Sequence, residues 1–193
     1  MHHACRNSNN AIVQVFLDKR ALLNASTSKG ETALVLAAME GQVDMLSMLL
    51  DLKAAVGKRD CVGRTALYHA CECGRPDQVK CLLRNKAKPN IQANDGTTPM
   101  MLAVGKQKWK MCQMLIERHG DINAADSKGE TVLMYSVRAD SLTFVEKFLD
   151  LNADVDLENK HGQTALLLAR TLGHYNVAES IGKRMGVTVG LGK

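Results

Sequence analysis

Aromatic residues make up only 4% of this 193-residue chain, with a single Trp, and Pro occurs three times. Sandwiches and barrels draw on aromatic and β-branched residues, so this poverty speaks against them. It suits short helices packed through Ala, Leu, Met and Cys. No apolar run reaches the roughly eighteen residues that a membrane-spanning helix needs. The start, Met1-His2-His3-Ala4-Cys5, has no basic stretch leading into an apolar one, so no signal peptide is read. The six Cys fall at uneven spacings. Without a secretory signal they are expected as reduced thiols, which places the chain inside the cell, in the cytoplasm or the nucleus. The chain is 46% hydrophobic and 23% charged. That balance excludes bulk disorder, and the length allows a core without disulfides or metals.

What is present is a repeat. Gly30-Glu31-Thr32-Ala33-Leu34 returns as Gly63-Arg64-Thr65-Ala66-Leu67, Gly96-Thr97-Thr98-Pro99-Met100, Gly129-Glu130-Thr131-Val132-Leu133 and Gly162-Gln163-Thr164-Ala165-Leu166, each 33 residues after the last. The glycine follows a short polar stretch such as Asp60-Cys61-Val62, and a turn there calls for positive φ. Thr two residues later suits a helix N-cap, and Pro99 suits the first helical position. A column of small residues follows: Ala37, Ala70, Ala103, Ser136 and Ala169. These let neighbouring helices approach closely. A break comes at Gly41, Gly74, Gln107, Asp140 and Gly173. A second apolar helix then begins, as in Met111-Cys112-x-Met114-Leu115-Ile116. A polar turn closes the unit, as in Lys86-Ala87-Lys88-Pro89-Asn90. No such helix pair buries its apolar face alone, so the units must stack.

In order and spacing the unit resembles the ankyrin repeat, whose pattern runs G-x-T-P-L-H-x-A-A, then G, an aliphatic helix, and G-A-D-x-N. The resemblance covers essentially the whole chain. It implies an all-α, ankyrin-repeat solenoid of stacked helix-turn-helix units with hairpin-like turns. About six repeats are expected, at approximately 1–26, 27–59, 60–92, 93–125, 126–158 and 159–185, followed by a tail at 186–193. The motif's Pro survives only as Pro99, and its His is replaced by Val35, Tyr68, Met101, Met134 and Leu167. The first unit lacks its turn: Met1 falls where Leu34 and Leu67 fall, and its outer helix runs through Ile12, Val13, Val15, Phe16 and Leu17. The chain therefore reads as cut from a longer protein, or as having a trimmed first unit. At the other end Gly182 stands where Leu50, Leu83, Ile116 and Leu149 stand, so a less apolar far side is expected of the last unit.

Several residues invite a chemical reading. His69 and Cys73, four apart, share a helix face near Cys61, Cys71 and Cys81. A metal site needs two ligand pairs at proper spacing, however, and Cys71 and Cys81 fall in apolar columns. Core thiols are expected there, with Cys61 and Cys73 exposed. No nucleophile–base set, phosphate loop or metalloprotease motif occurs, so no enzyme, no metal and no cofactor are expected. The net charge of +5 raises nucleic acid. Its densest basic stretch is Lys106-Gln107-Lys108-Trp109-Lys110, with Lys80, Arg84, Lys86 and Lys88 as a second group. Trp109 begins a helix and is expected to be a packed indole.

The resemblance also implies a binding surface: the turn tips and the exposed face of the first helices, lining a concave side. Carried over to this chain, the partner-binding residues are Lys29, Glu31, Met39, Arg59, Cys61, Val62, Arg64, Glu72, Asp95, Lys128, Glu130, Tyr135 and Arg138. Charges of both signs nearly balance there, which fits protein recognition better than phosphate tracking. Tyr135, with Arg64 and Arg138, is the expected centre. The function expected is a non-catalytic scaffold for a protein partner, acting as a monomeric domain. The alternatives are a nucleic-acid or nucleotide binder, or a regulatory segment of a larger signalling or membrane-associated protein. The resemblance further offers Asn24, Asn90 and Asn123 as hydroxylation targets.

Overall fold

The computed structural model describes residues 23–187. The expectations for Met1 to Leu17 and for the tail beyond Val187 lie outside these residues. Among the described residues ten helices follow one another: α1 (Ala33–Glu40), α2 (Val43–Asp51), α3 (Ala66–Glu72), α4 (Pro76–Arg84), α5 (Pro99–Gly105), α6 (Trp109–Ile116), α7 (Val132–Arg138), α8 (Leu142–Asp150), α9 (Ala165–Leu172) and α10 (Tyr175–Met185). Among the described residues the only β-pairing is an isolated bridge between Ser26 and Thr32. The odd-numbered helices stack on one another in order, and each packs against the even-numbered helix that follows it. Among the described residues no helix is long and apolar enough to cross a membrane.

Each first helix starts where a threonine hydroxyl accepts from the backbone N–H three residues on. Thr32, Thr65, Thr98, Thr131 and Thr164 all do this, so one otherwise unpaired donor is satisfied at every start. The small column is fully buried, from Ala37 through Ala70, Ala103 and Ser136 to Ala169. Ser136 donates its hydroxyl to the Val132 carbonyl at 2.9 Å, so the one polar member leaves nothing unpaired.

The glycine before each threonine has φ between 68° and 81°. At Gly96 a Cβ would stand 2.5 Å from the Ser127 backbone nitrogen, so glycine also permits the next repeat to approach. The break column keeps the left-handed geometry even where glycine is replaced, with φ 52° at Gln107 and 46° at Asp140.

The far side of the last described repeat is more apolar than expected. Leu167 is 47% exposed, and Leu172 and Tyr175 are exposed beside it. Gly182 is buried, so its lack of a side chain does not make that surface polar.

Candidate functional site

Four of the five described hairpin tips are built around one side chain each. Asp60 Oδ1 accepts from the N–H groups of Val62 (3.0 Å) and Arg64 (2.8 Å). Asp126 Oδ1 does the same for Lys128 and Glu130, at 2.8 and 2.9 Å. Thr27 and Asn159 fill this place in their repeats with a single acceptor oxygen. An aspartate brings a second oxygen, and the first helix supplies a group for it. His69 Nε2 lies 3.0 Å from Asp60 Oδ2, and the Tyr135 hydroxyl donates to Asp126 Oδ2 at 3.0 Å. Burial first, and then Asp126, push the Tyr135 hydroxyl well above the ordinary phenol range, which keeps it a donor. Burial of the Asp60 carboxyl is outweighed by its bonds from Arg64, His69 and Val62, which hold it below its usual value.

At two of the tips a second layer of pairs joins the tip to the end of the following helix. Arg64 faces Glu72 at 3.6 Å and stacks over the Tyr68 ring, 5.2 Å from its centroid. Two repeats on, the charges are exchanged. Arg138 grips both carboxylate oxygens of Glu130, with Nε at 2.9 and 3.1 Å and the terminal nitrogen on Oε1. Glu130 and Glu31, expected on the exposed face, are both buried. The physical reason is the turn, which folds this position beneath the tip. Glu31 accepts there from the Thr27 hydroxyl. Arg59 spans two repeats, donating to the carbonyls of Gly63 (2.9 Å) and Gln92 (2.7 Å).

Above these pairs runs a backbone ladder between successive tips. Cys61 N–H donates to Lys29, Asn94 to Val62, Ser127 to Asp95 and Lys160 to Lys128, at 2.8–3.0 Å. The acceptors Lys29, Val62, Asp95 and Lys128 are therefore fixed in the main chain while their side chains remain exposed. Cys61 is exposed beside them, and Met39 and Glu72 are half-buried on the first helices.

Turn, capped helix and ladder recur through the described chain, and the comparisons agree. A family model described as Ankyrin repeats (3 copies) matches residues 1–60, 52–126, 74–159 and 101–189. The chain belongs to the ankyrin repeat family. Among solved structures it is similar to the ankyrin repeat domain of Bcl-3, described as a unique member of the IkappaB protein family. The TM-score is 0.86 at 26% identity, covering 97% of this chain and 86% of that one. It is also similar to a chain from the complex of the Bdellovibrio bacteriovorus predatory endopeptidase Bd0816 with immunity protein Bd3460. There the TM-score is 0.86 at 27% identity, covering 94% of this chain and 96% of the other. A comparison with curated proteins gave no match.

The remaining candidates of this ankyrin domain have local roles. The buried His69 ring lies between Asp60 and Glu72, the latter 3.2 Å from Nδ1. Among the described residues no cluster of His, Cys, Asp and Glu is placed to hold a metal. Cys71 and Cys112 are buried, while Cys61 and Cys73 are exposed. Burial pushes the Cys112 thiol up to about 12 and raises Cys71 as well, so both are poor nucleophiles. Trp109 stands edge-on to Phe144 and Phe148, at 5.4 and 5.3 Å between centroids. Asn90 and Asn123 each accept through Oδ1 from the next repeat's backbone, at Asp121 and Asp154. Asn24 does so from Ala55.

The hubs Asp60 and Asp126 escaped the sequence reading. Their signal was nonetheless present: a polar residue replaces Leu nine positions on only where the tip residue is Asp.

Proposed function

We propose that this ankyrin domain is a non-catalytic scaffold that binds a protein partner along its concave, tip-lined side. One observation carries the reading. Lys29, Val62, Asp95, Lys128 and His161 hold one place in five successive repeats, all are exposed, and their chemistry differs at each step. The first four accept the ladder bonds, so binding them costs little ordering. Val62, 47% exposed, offers apolar area amid charged neighbours. The relative in complex with another protein adds weight. Within the proposed face, Arg59, Arg64, Glu72, Tyr135 and Arg138 hold the tips in place through the bonds described above. Glu31 and Glu130 do so from beneath. Contact then falls to Lys29, Met39, Cys61, Val62, Asp95 and Lys128.

The test is partner capture on the immobilised full chain, from extract of the source organism. Val62→Asp combined with Lys128→Glu is expected to cut the captured partner by about tenfold or more, the effect of losing a central contact. Tyr135→Phe is expected to leave capture within about twofold, since its hydroxyl faces Asp126. Undiminished capture by the double variant would sink this choice of face.

A further inference from the structure

The second helices form the other side of the stack, and one of their seams differs from the rest. Consecutive pairs α2–α4, α4–α6 and α8–α10 approach closely along their backbones, whereas α6 and α8 stand further apart. Three aromatic rings fill that seam. The Trp109 indole lies edge-on to Phe144 and Phe148, at 89° and 71°. Outside this wedge opens a groove of about 360 Å³, whose apolar floor is Trp109, Ile116 and Leu151. Leu151 is 40% exposed.

Charges of both signs line the groove. The Lys147 ammonium lies 4.7 Å over the indole, and Lys110 is on the next position of α6. Glu117 and Asp150 line it too, at the C-terminal ends of α6 and α8. The charges of α6 run against its own dipole. Cations are stabilising at a helix C-terminus and anions at its N-terminus. Yet α6 has Lys108 as N-cap, Lys110 in its first turn and Glu117 as C-cap, with no acidic residue in the first turn and no basic residue in the last. Its neighbour α4 is arranged the favourable way, with Asp77 first and Arg84 last. Arg118, just past the cap, offsets this in part. Among the described residues Glu117 and Asp150 form no ion pair, and a bound segment of complementary charge supplies one.

We propose that the α6–α8 groove is a second docking site, distinct from the concave face. Its occupant is a segment of a partner protein that seats one large apolar side chain on Trp109, Ile116 and Leu151. A Lys or Arg beside that side chain pairs with Glu117 and Asp150. Because the floor holds the chain's single Trp, occupancy reads out directly in its fluorescence.

The test selects displayed random short peptides on the full chain and scores each by saturable change in Trp109 emission. Peptides that change it are expected to carry an apolar residue next to Lys or Arg. They are expected to bind Glu117→Gln/Asp150→Asn at least roughly fivefold more weakly, while Val62→Asp leaves them unchanged. Failure to recover any peptide that moves the emission would overturn the proposal. So would peptides that bind the neutralised variant equally well. The Gln and Asn replacements are near-isosteric and exposed, and an unaltered melting temperature confirms that the variant is folded.

Discussion

Leu36, His69, Leu102, Tyr135 and Leu168 occupy one place in five repeats, and the choice at each is set by a single atom. Where the tip residue is Asp60 or Asp126, a second carboxylate oxygen needs a partner, and His69 or Tyr135 provides it. Where the tip is Thr27, Ala93 or Asn159, the place is Leu. A buried acceptor left unpaired would cost about 1–3 kcal/mol, so the two positions change together. The Asp60 carboxyl is held low in the folded state. A depressed carboxylate adds stability that is present above its unfolded value near 4 and lost as pH falls through the folded value. Asp60→Asn keeps an acceptor for Val62 and Arg64, as Asn159 does in its own repeat, but loses the charged bond to His69. The variant is expected to be less stable by about 1–2 kcal/mol at neutral pH. Its melting temperature should also fall less steeply than that of the parent below about pH 4. Parallel melting curves across that range would refute the role given to Asp60.

At the scale of elements, the turns show what a sequence tells and what it hides. The threonine caps and the 33-residue glycine spacing were legible because each residue type answers one backbone demand. The left-handed residues after the second helices were not, for Lys53, Lys86, His119 and Asn152 hold φ of 58–66° without glycine to mark them. Nor was the charge pairing beneath the tips legible. Arg64–Glu72 and Glu130–Arg138 join positions eight apart across a turn, and only the folded hairpin decides that they face each other. Part of the charge expected on the binding face is consumed in these internal pairs. The long turns hold a further regularity. Asn24, Asn90 and Asn123 each tie their turn to the next repeat through a backbone N–H 31 residues on. Gly57 and Asp156 take that place in the other two repeats, and a Cβ added at Gly57 meets nothing within 4 Å. Gly57→Asn is expected to raise stability by about 1 kcal/mol, from a new bond accepted from Lys88 N–H and a less flexible unfolded chain. Thermal unfolding measures it, and an unchanged or lower midpoint would show that the seam cannot close.

For the whole molecule, stability is a matter of neighbours, because each repeat buries the apolar face of the one before it. Val35, Tyr68, Met101 and Met134 are each at most 3% exposed, whereas Leu167 in the same column is 47% exposed. The residue type is apolar throughout; what differs is whether a following repeat is packed over it. The same consideration explains how a chain so short of aromatics holds together. Its fully buried column of Ala and Ser draws the helices close, and Leu and Met fill what remains. The three rings at the α6–α8 seam are the exception, and there the helices spread. Stacking makes a contrast that single-residue propensity does not. Leu167→Lys is expected to change unfolding free energy by no more than about 0.5 kcal/mol, since the site is solvated. Met134→Lys, one repeat earlier, places an unpaired ammonium between two stacked first helices and is expected to cost more than about 3 kcal/mol. At roughly 2–4 °C per kcal/mol for a chain of this size, the two variants separate by many degrees in a melting experiment. Equal losses from the two would mean that residue 167 is covered in solution and that the stack continues over it.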